Sequence, residues 1–163
     1  ISSSSTQFAL NLLRSSSDSS SNFVISPFSL GSALAIVHDG ARGNTQNELT
    51  QLLAKDRSPK EVSSLYSELS KDISSTNNKA VVTTVVNRFF LNKSFHLKSE
   101  YAEHVAKAYA AGVEQLNFSD GDRPLKRVNE LVKNVTVGMI PELVSSDIFK
   151  EAAALLINAV YFK

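Results

Sequence analysis

The sequence predicts an α+β chain in which several amphipathic helices pack on a large mixed or antiparallel β-sheet. Three observations carry this reading. Apolar residues recur at helical spacing through much of the first half and again between residues 101 and 135. Ala80–Leu91 is rich in β-branched and aromatic residues. Ala152–Phe162 is almost continuously apolar, as expected of a central strand buried on both faces.

The elements follow in order. Ser2–Ser5 and Ser15–Ser21 are Ser-rich and read as a loose start and a surface loop. Between them Phe8, Ala9, Leu12 and Leu13 mark one face of a short helix. Asn22–Ser26 is a short strand. Ser26 then caps a helix with Pro27 at its first position, where a missing N–H costs nothing. Leu30, Ala33, Leu34 and Val37 give that helix an inner face, and Gly40 and Gly43 end it.

Thr45-Gln46-Asn47-Glu48 has the form of a capping box, with Leu49, Leu52 and Leu53 as the buried face behind it. Ser58-Pro59-Lys60-Glu61 repeats the signal ahead of a stripe of Val62, Leu65, Tyr66, Leu69 and Ile73. After the strand Ala80–Leu91 and a turn at Asn92–Ser94, Tyr101, Val105, Ala108 and Tyr109 mark a helix stopped by Gly112. Val113–Phe118 is a strand and Ser119–Asp122 a turn. Pro124 opens a helix with Leu125, Val128, Leu131, Val132 and Val135 inward, broken by Gly138 and Pro141. The chain reaches Lys163 directly after its last strand. A central strand needs pairing on both edges, so the expectation is a domain truncated after that strand.

Composition narrows the function. The 163 residues are 42% hydrophobic and 20% charged, enough apolar material for a core. Seventeen basic residues against sixteen acidic ones give a formal charge of +1, which argues against nucleic acid as a bulk partner. There is no Cys, hence no disulfide or thiolate metal site in this stretch. The longest apolar run is interrupted by Asn158 and is too short to cross a membrane.

Few constellations suggest chemistry. Phe23–Leu30 places two hydroxyls, Ser26 and Ser29, at a strand-to-helix turn in apolar surroundings. Asn158 sits inside an apolar strand, where an unpaired amide costs about 1–3 kcal/mol, so it needs partners. Gly40-Ala41-Arg42-Gly43 imitates a nucleic-acid-clamping GxxG loop, but a helix–helix turn explains it better. Glu100 and His104 lie four apart without a third metal ligand. His38 and Asp39 are expected to point different ways at a helix end. No GxSxG occurs, and no catalytic residue, cofactor or metal is assigned. Lys55, Arg57, Lys60 and Lys71 are interleaved with acids, unlike a polyanion site. Glycosylation-type triplets begin at Asn92, Asn117 and Asn134.

Taken in order, these stretches resemble the serpin family. Asn22-Phe23-Val24-Ile25-Ser26-Pro27-Phe28-Ser29-Leu30 is similar to the strand leading into its second helix, and Gly40–Thr45 to the turn that follows. Val86-Asn87-Arg88-Phe89-Phe90 resembles the second strand of the large sheet. Val128–Val132 and Thr136–Ile140 resemble the helix crossing that sheet, and Leu156–Lys163 its third strand. Leu131 stands where Trp is usual, and Met139 where Lys is common.

The resemblance implies that residues 1–163 are the amino-terminal portion of a single serpin domain and carry no enzyme activity. It implies a serine-type endopeptidase inhibitor acting, when complete, by cleavage of a reactive loop and its insertion as a strand. The implied partner is a target serine or cysteine protease, reached through a loop outside this stretch, with the carboxy-terminal half in the same or a second chain. No nucleic-acid or membrane partner is implied. A non-inhibitory carrier or chaperone is the alternative, and nucleic-acid binding through Gly40–Gly43 a remote one. Ser26, Ser29 and Asn158 match the family's polar shutter beneath the opening sheet. Both extracellular and cytoplasmic locations fit.

Overall fold

A computed structural model of the chain describes residues 3–16, 25–75 and 82–163. It divides into two compact units, residues 1–70 and 71–163.

The first unit is helical. α1 spans Ser3–Ser16, α2 Pro27–Gly40 and α3 Gly43–Ala54, and α4, Pro59–Ser75, begins here. The Ser-rich start is therefore helical from Ser3 rather than loose. The strand expected over Asn22–Ser26 lies mostly outside the described residues.

Ser26 caps α2 as expected: its backbone is extended, its Oγ accepts from the Ser29 N–H at 3.3 Å, and Pro27 follows. The buried face differs from the expected stripe. Leu30 and Val37 are exposed, whereas Ser29, Ser32, Ala33 and Ile36 are buried. The small residues let neighbouring helices approach closely. A Cβ on Gly31 would sit 2.7 Å from the Tyr66 hydroxyl of α4, so a side chain there would displace the buried tyrosine ring.

The capping box at Thr45 does not form. α3 begins at Gly43 after Arg42, which offers no side-chain cap, so Thr45 already lies in the first turn. Its buried residues are Thr50, Leu53 and Ala54, and Leu52 is exposed. The box at Ser58 does form. Ser58 N–H donates to Glu61 Oε2 at 2.8 Å and Glu61 N–H to Ser58 Oγ at 3.4 Å.

The second unit is a three-stranded sheet with helices. β1 is Thr83–Asn92, β2 Gly112–Leu116 and β3 Ala154–Phe162, in the order β2-β1-β3. β1 and β2 are parallel and joined through α5, Ser99–Tyr109, because parallel neighbours need a crossover. β1 and β3 are antiparallel, with Asn87 opposite Asn158. The central strand among the described residues is thus β1, and β3 lies at an edge. β3 also alternates more than a doubly buried strand would. Ile157 and Ala159 are buried, and Phe162 is exposed.

α6, Arg123–Val135, lays Val128 and Val132 on the sheet, where Phe90, Phe118, Phe149 and Ile157 complete the core. Phe118, expected at the end of β2, instead lies in the following turn and meets Phe149 edge to face at 5.2 Å. α5 ends at Ala110, which takes the left-handed conformation, rather than at Gly112, which opens β2.

Candidate functional site

Ser26 and Ser29 sit in the first unit, at the start of α2. Ser29 is 4% exposed and Ser32, one turn on, is wholly buried. The Ser32 hydroxyl has no hydrogen-bond partner among the described residues.

The same helix ends in a second buried polar set. His38 and Asp39 do not point apart. His38 Nδ1 lies 3.1 Å from Asp39 Oδ1 and His38 Nε2 lies 3.0 Å from Thr50 Oγ1 of α3. Asp39 Oδ2 accepts from Ser63 Oγ of α4 at 2.9 Å. The order Thr50–His38–Asp39 imitates a nucleophile–base–acid relay. It has no access to substrate: His38 is 1% and Thr50 5% exposed, and the Thr50 hydroxyl already donates to Gln46 O at 2.8 Å. Its effect is to tie α2, α3 and α4 together.

The Gly40–Gly43 segment is the turn between α2 and α3. Ala41 N–H bonds back to the end of α2, and the Arg42 guanidinium donates to the carbonyls of Asp39 and Ala41. Glu100 and His104 are both exposed on α5, with the His104 ring edge-on to Tyr109. No group of three or more metal-ligating side chains occurs among the described residues.

Asn158 sits in the second unit, on β3. Its Nδ2 donates to Asn87 Oδ1 across the β1–β3 pair at 2.8 Å, and Asn87 Nδ2 donates to Tyr109 O at the end of α5 at 3.4 Å. An amide ladder therefore links β3, β1 and α5 inside apolar surroundings. The sequence reading placed Asn87 in a family-like string but gave it no role. Its signal was the same as that of Asn158, an amide within an apolar strand.

Three further contacts hold this unit. Arg127 of α6 grips Glu114 of β2 through two bonds of 2.7 and 2.8 Å. That carboxylate keeps the guanidinium even more firmly protonated than usual. Asn129 of α6 accepts from the N–H groups of Leu143 and Val144 and donates to Val144 O, which fastens the segment leading toward β3. The Arg88 side chain crosses Gly112, where any Cβ would overlap its guanidinium.

These elements recur, in the same order, in a known family. The chain matches the family model described as Serpin (serine protease inhibitor) over residues 3–163, and it belongs to the serpin family. It is 36% identical to a leukocyte elastase inhibitor of Sus scrofa, over 100% of this chain and 44% of that protein. It is 35% identical to a serpin B6 of Macaca fascicularis, over 96% of this chain and 43% of that protein. Among solved structures, Manduca sexta serpin-12 superposes with a TM-score of 0.85 at 25% identity, over 98% of this chain and 44% of that one. The fold alone is shared with human thyroxine-binding globulin, at a TM-score of 0.88 and 24% identity, over 99% of this chain and 44% of that one. The chain thus spans less than half the length of the relatives it matches.

Proposed function

We propose that the protein, taken whole, is a serine-type endopeptidase inhibitor acting by reactive-loop cleavage and strand insertion. The observation that carries this is the 36% identity to a leukocyte elastase inhibitor across the full chain. The implied partner is a serine protease, or a cysteine protease trapped in the same way. Residues 1–163 supply the amino-terminal part of one serpin domain, with the helices and first strands of the large sheet.

In this reading Ser26, Ser29 and Asn158 serve as the polar shutter, by family resemblance. Within the sheet, the amide bond from Asn158 to Asn87 supports it, because it puts a polar pair between strands that have to shift without losing their hydrogen bonds.

The test is incubation of the full-length protein with a panel of serine and cysteine proteases. A complex that survives SDS, with one-to-one loss of protease activity, is expected. Simple cleavage with no complex against every protease would favour the non-inhibitory reading.

A further inference from the structure

The three Asn-x-Ser/Thr triplets stand in very different surroundings, and the difference selects one of them. N-glycosylation joins a sugar to the Asn amide nitrogen of such a triplet, and occupied sites lie on surface loops.

Asn92 is the last residue of β1, the strand flanked on both sides, and it is half-buried. Its N–H bonds to Ala153 O, and its register partner across the parallel pair is Leu116. Asn134 is exposed but helical. Residues two apart on a helix lie on different faces. Thr136 is accordingly wholly buried, donating to Val132 O at 2.8 Å and accepting from Ile140 N–H at 3.0 Å.

Asn117 alone of the three combines an exposed amide and an exposed hydroxyl-bearing residue outside helix and strand. Asn92 makes a similar turn, its Oδ1 accepting from the Ser94 N–H at 3.5 Å, but it is half-buried at the end of a paired strand. Asn117 lies in the turn between β2 and α6, and both Asn117 and Ser119 are exposed. Between them Phe118 is buried in the core and anchors the turn. Asn117 Oδ1 accepts from the Ser119 N–H at 3.1 Å, which folds the amide and the hydroxyl-bearing residue toward each other. Asn117 O also accepts from Asp120 N–H at 3.1 Å, so the turn is closed and faces outward. The Asn117 Nδ2 has no partner among the described residues.

We propose that, of the three triplets, Asn117 is the one that takes an N-linked glycan when this protein passes through a secretory pathway, and that Asn92 and Asn134 stay unmodified. The co-reactant is a lipid-pyrophosphate-linked oligosaccharide. The Asn117 amide nitrogen forms a bond to the anomeric carbon and loses a proton. The bond from that carbon to the pyrophosphate oxygen breaks, and the lipid pyrophosphate leaves with the electron pair.

The test is expression of the full-length protein through a eukaryotic secretory pathway. Enzymatic glycan release in heavy-oxygen water then marks each occupied Asn as labelled Asp. Label at residue 117 and at neither 92 nor 134 is expected. Asn117→Gln removes it, and so does Ser119→Ala, which leaves the Asn117 side chain in place. Ser119→Thr retains it. Label at residue 92 or 134, or an unlabelled residue 117 in secreted protein, would overturn the assignment.

Discussion

Asn158 of β3 and Asn87 of β1 face each other in register and are joined side chain to side chain by a hydrogen bond of 2.8 Å. The pair has the apolar Val85, Phe89, Leu156 and Val160 beside it at the i±2 positions of the two strands, so losing the bond leaves an amide oxygen in apolar surroundings. Replacing Asn158 by Leu leaves Asn87 Oδ1 without this donor, and about 1–3 kcal/mol of stability should be lost. Asn87→Leu should cost a similar amount and also releases Tyr109 O. The double variant should cost clearly less than the sum. Urea unfolding of the four proteins of this cycle measures the coupling, and strict additivity would show that the amides act independently.

Helix α6 ends in a Schellman turn with an unusual residue. Gly138 N–H bonds to Lys133 O at 2.7 Å and Val137 N–H to Asn134 O at 3.3 Å. Val137 therefore takes the left-handed position, at φ 53°, which a β-branched side chain tolerates poorly. Its side chain is 70% exposed and loses little packing on removal. Val137→Gly should stabilise the full-length protein by about 1 kcal/mol. The thermal midpoint should rise accordingly, and a fall would contradict the strain.

Gly112 and Arg88 form the opposite case, a glycine required by a neighbour. Gly112→Ala drives a methyl group into the guanidinium and should cost about 2 kcal/mol. Arg88→Ala opens that space. In the Arg88→Ala background the same glycine substitution should have much less effect, measured by chemical denaturation.

The capping box of α4 carries a pH signature. Hydrogen bonds from the Ser58 side chain and backbone hold the Glu61 carboxyl below its ordinary range. A depressed folded value means that the contribution is complete above the unfolded value, about 4.3. It is lost as pH falls through the folded one. Glu61→Gln should flatten the dependence of the thermal midpoint on pH in that acid window and leave the slope near neutrality unchanged. Identical slopes in both proteins at acid pH would contradict the assignment.

How much of this was legible in the sequence depends on which force set each feature. The cap at Ser26-Pro27 and the box at Ser58–Glu61 were legible, because both are local backbone chemistry. The apparent box at Thr45 was not a start, because the turn after Gly40 already begins α3 at Gly43. The inner face of α2 was misread for a packing reason. A close contact of Gly31 with Tyr66 turns small residues inward and leaves Leu30 and Val37 exposed. β3 reads as central from its apolar run, with its second partner outside this stretch, and among the described residues it pairs with β1. Asn158 and Asn87 are both legible as amides within largely apolar strands, whereas their pairing is not, since it depends on register. His38 and Asp39 meet because helices α3 and α4 bring Thr50 and Ser63 to them, a tertiary effect invisible along the chain.

The proposed mechanism has the large sheet of the whole protein take up a further strand once a protease has cleaved the reactive loop. The most direct measurement is the thermal midpoint of the full-length protein before and after limited cleavage in its reactive loop. Strand insertion adds hydrogen bonds and buried surface to the sheet, so a large rise in the midpoint is predicted. An unchanged or lower midpoint after complete cleavage would contradict it.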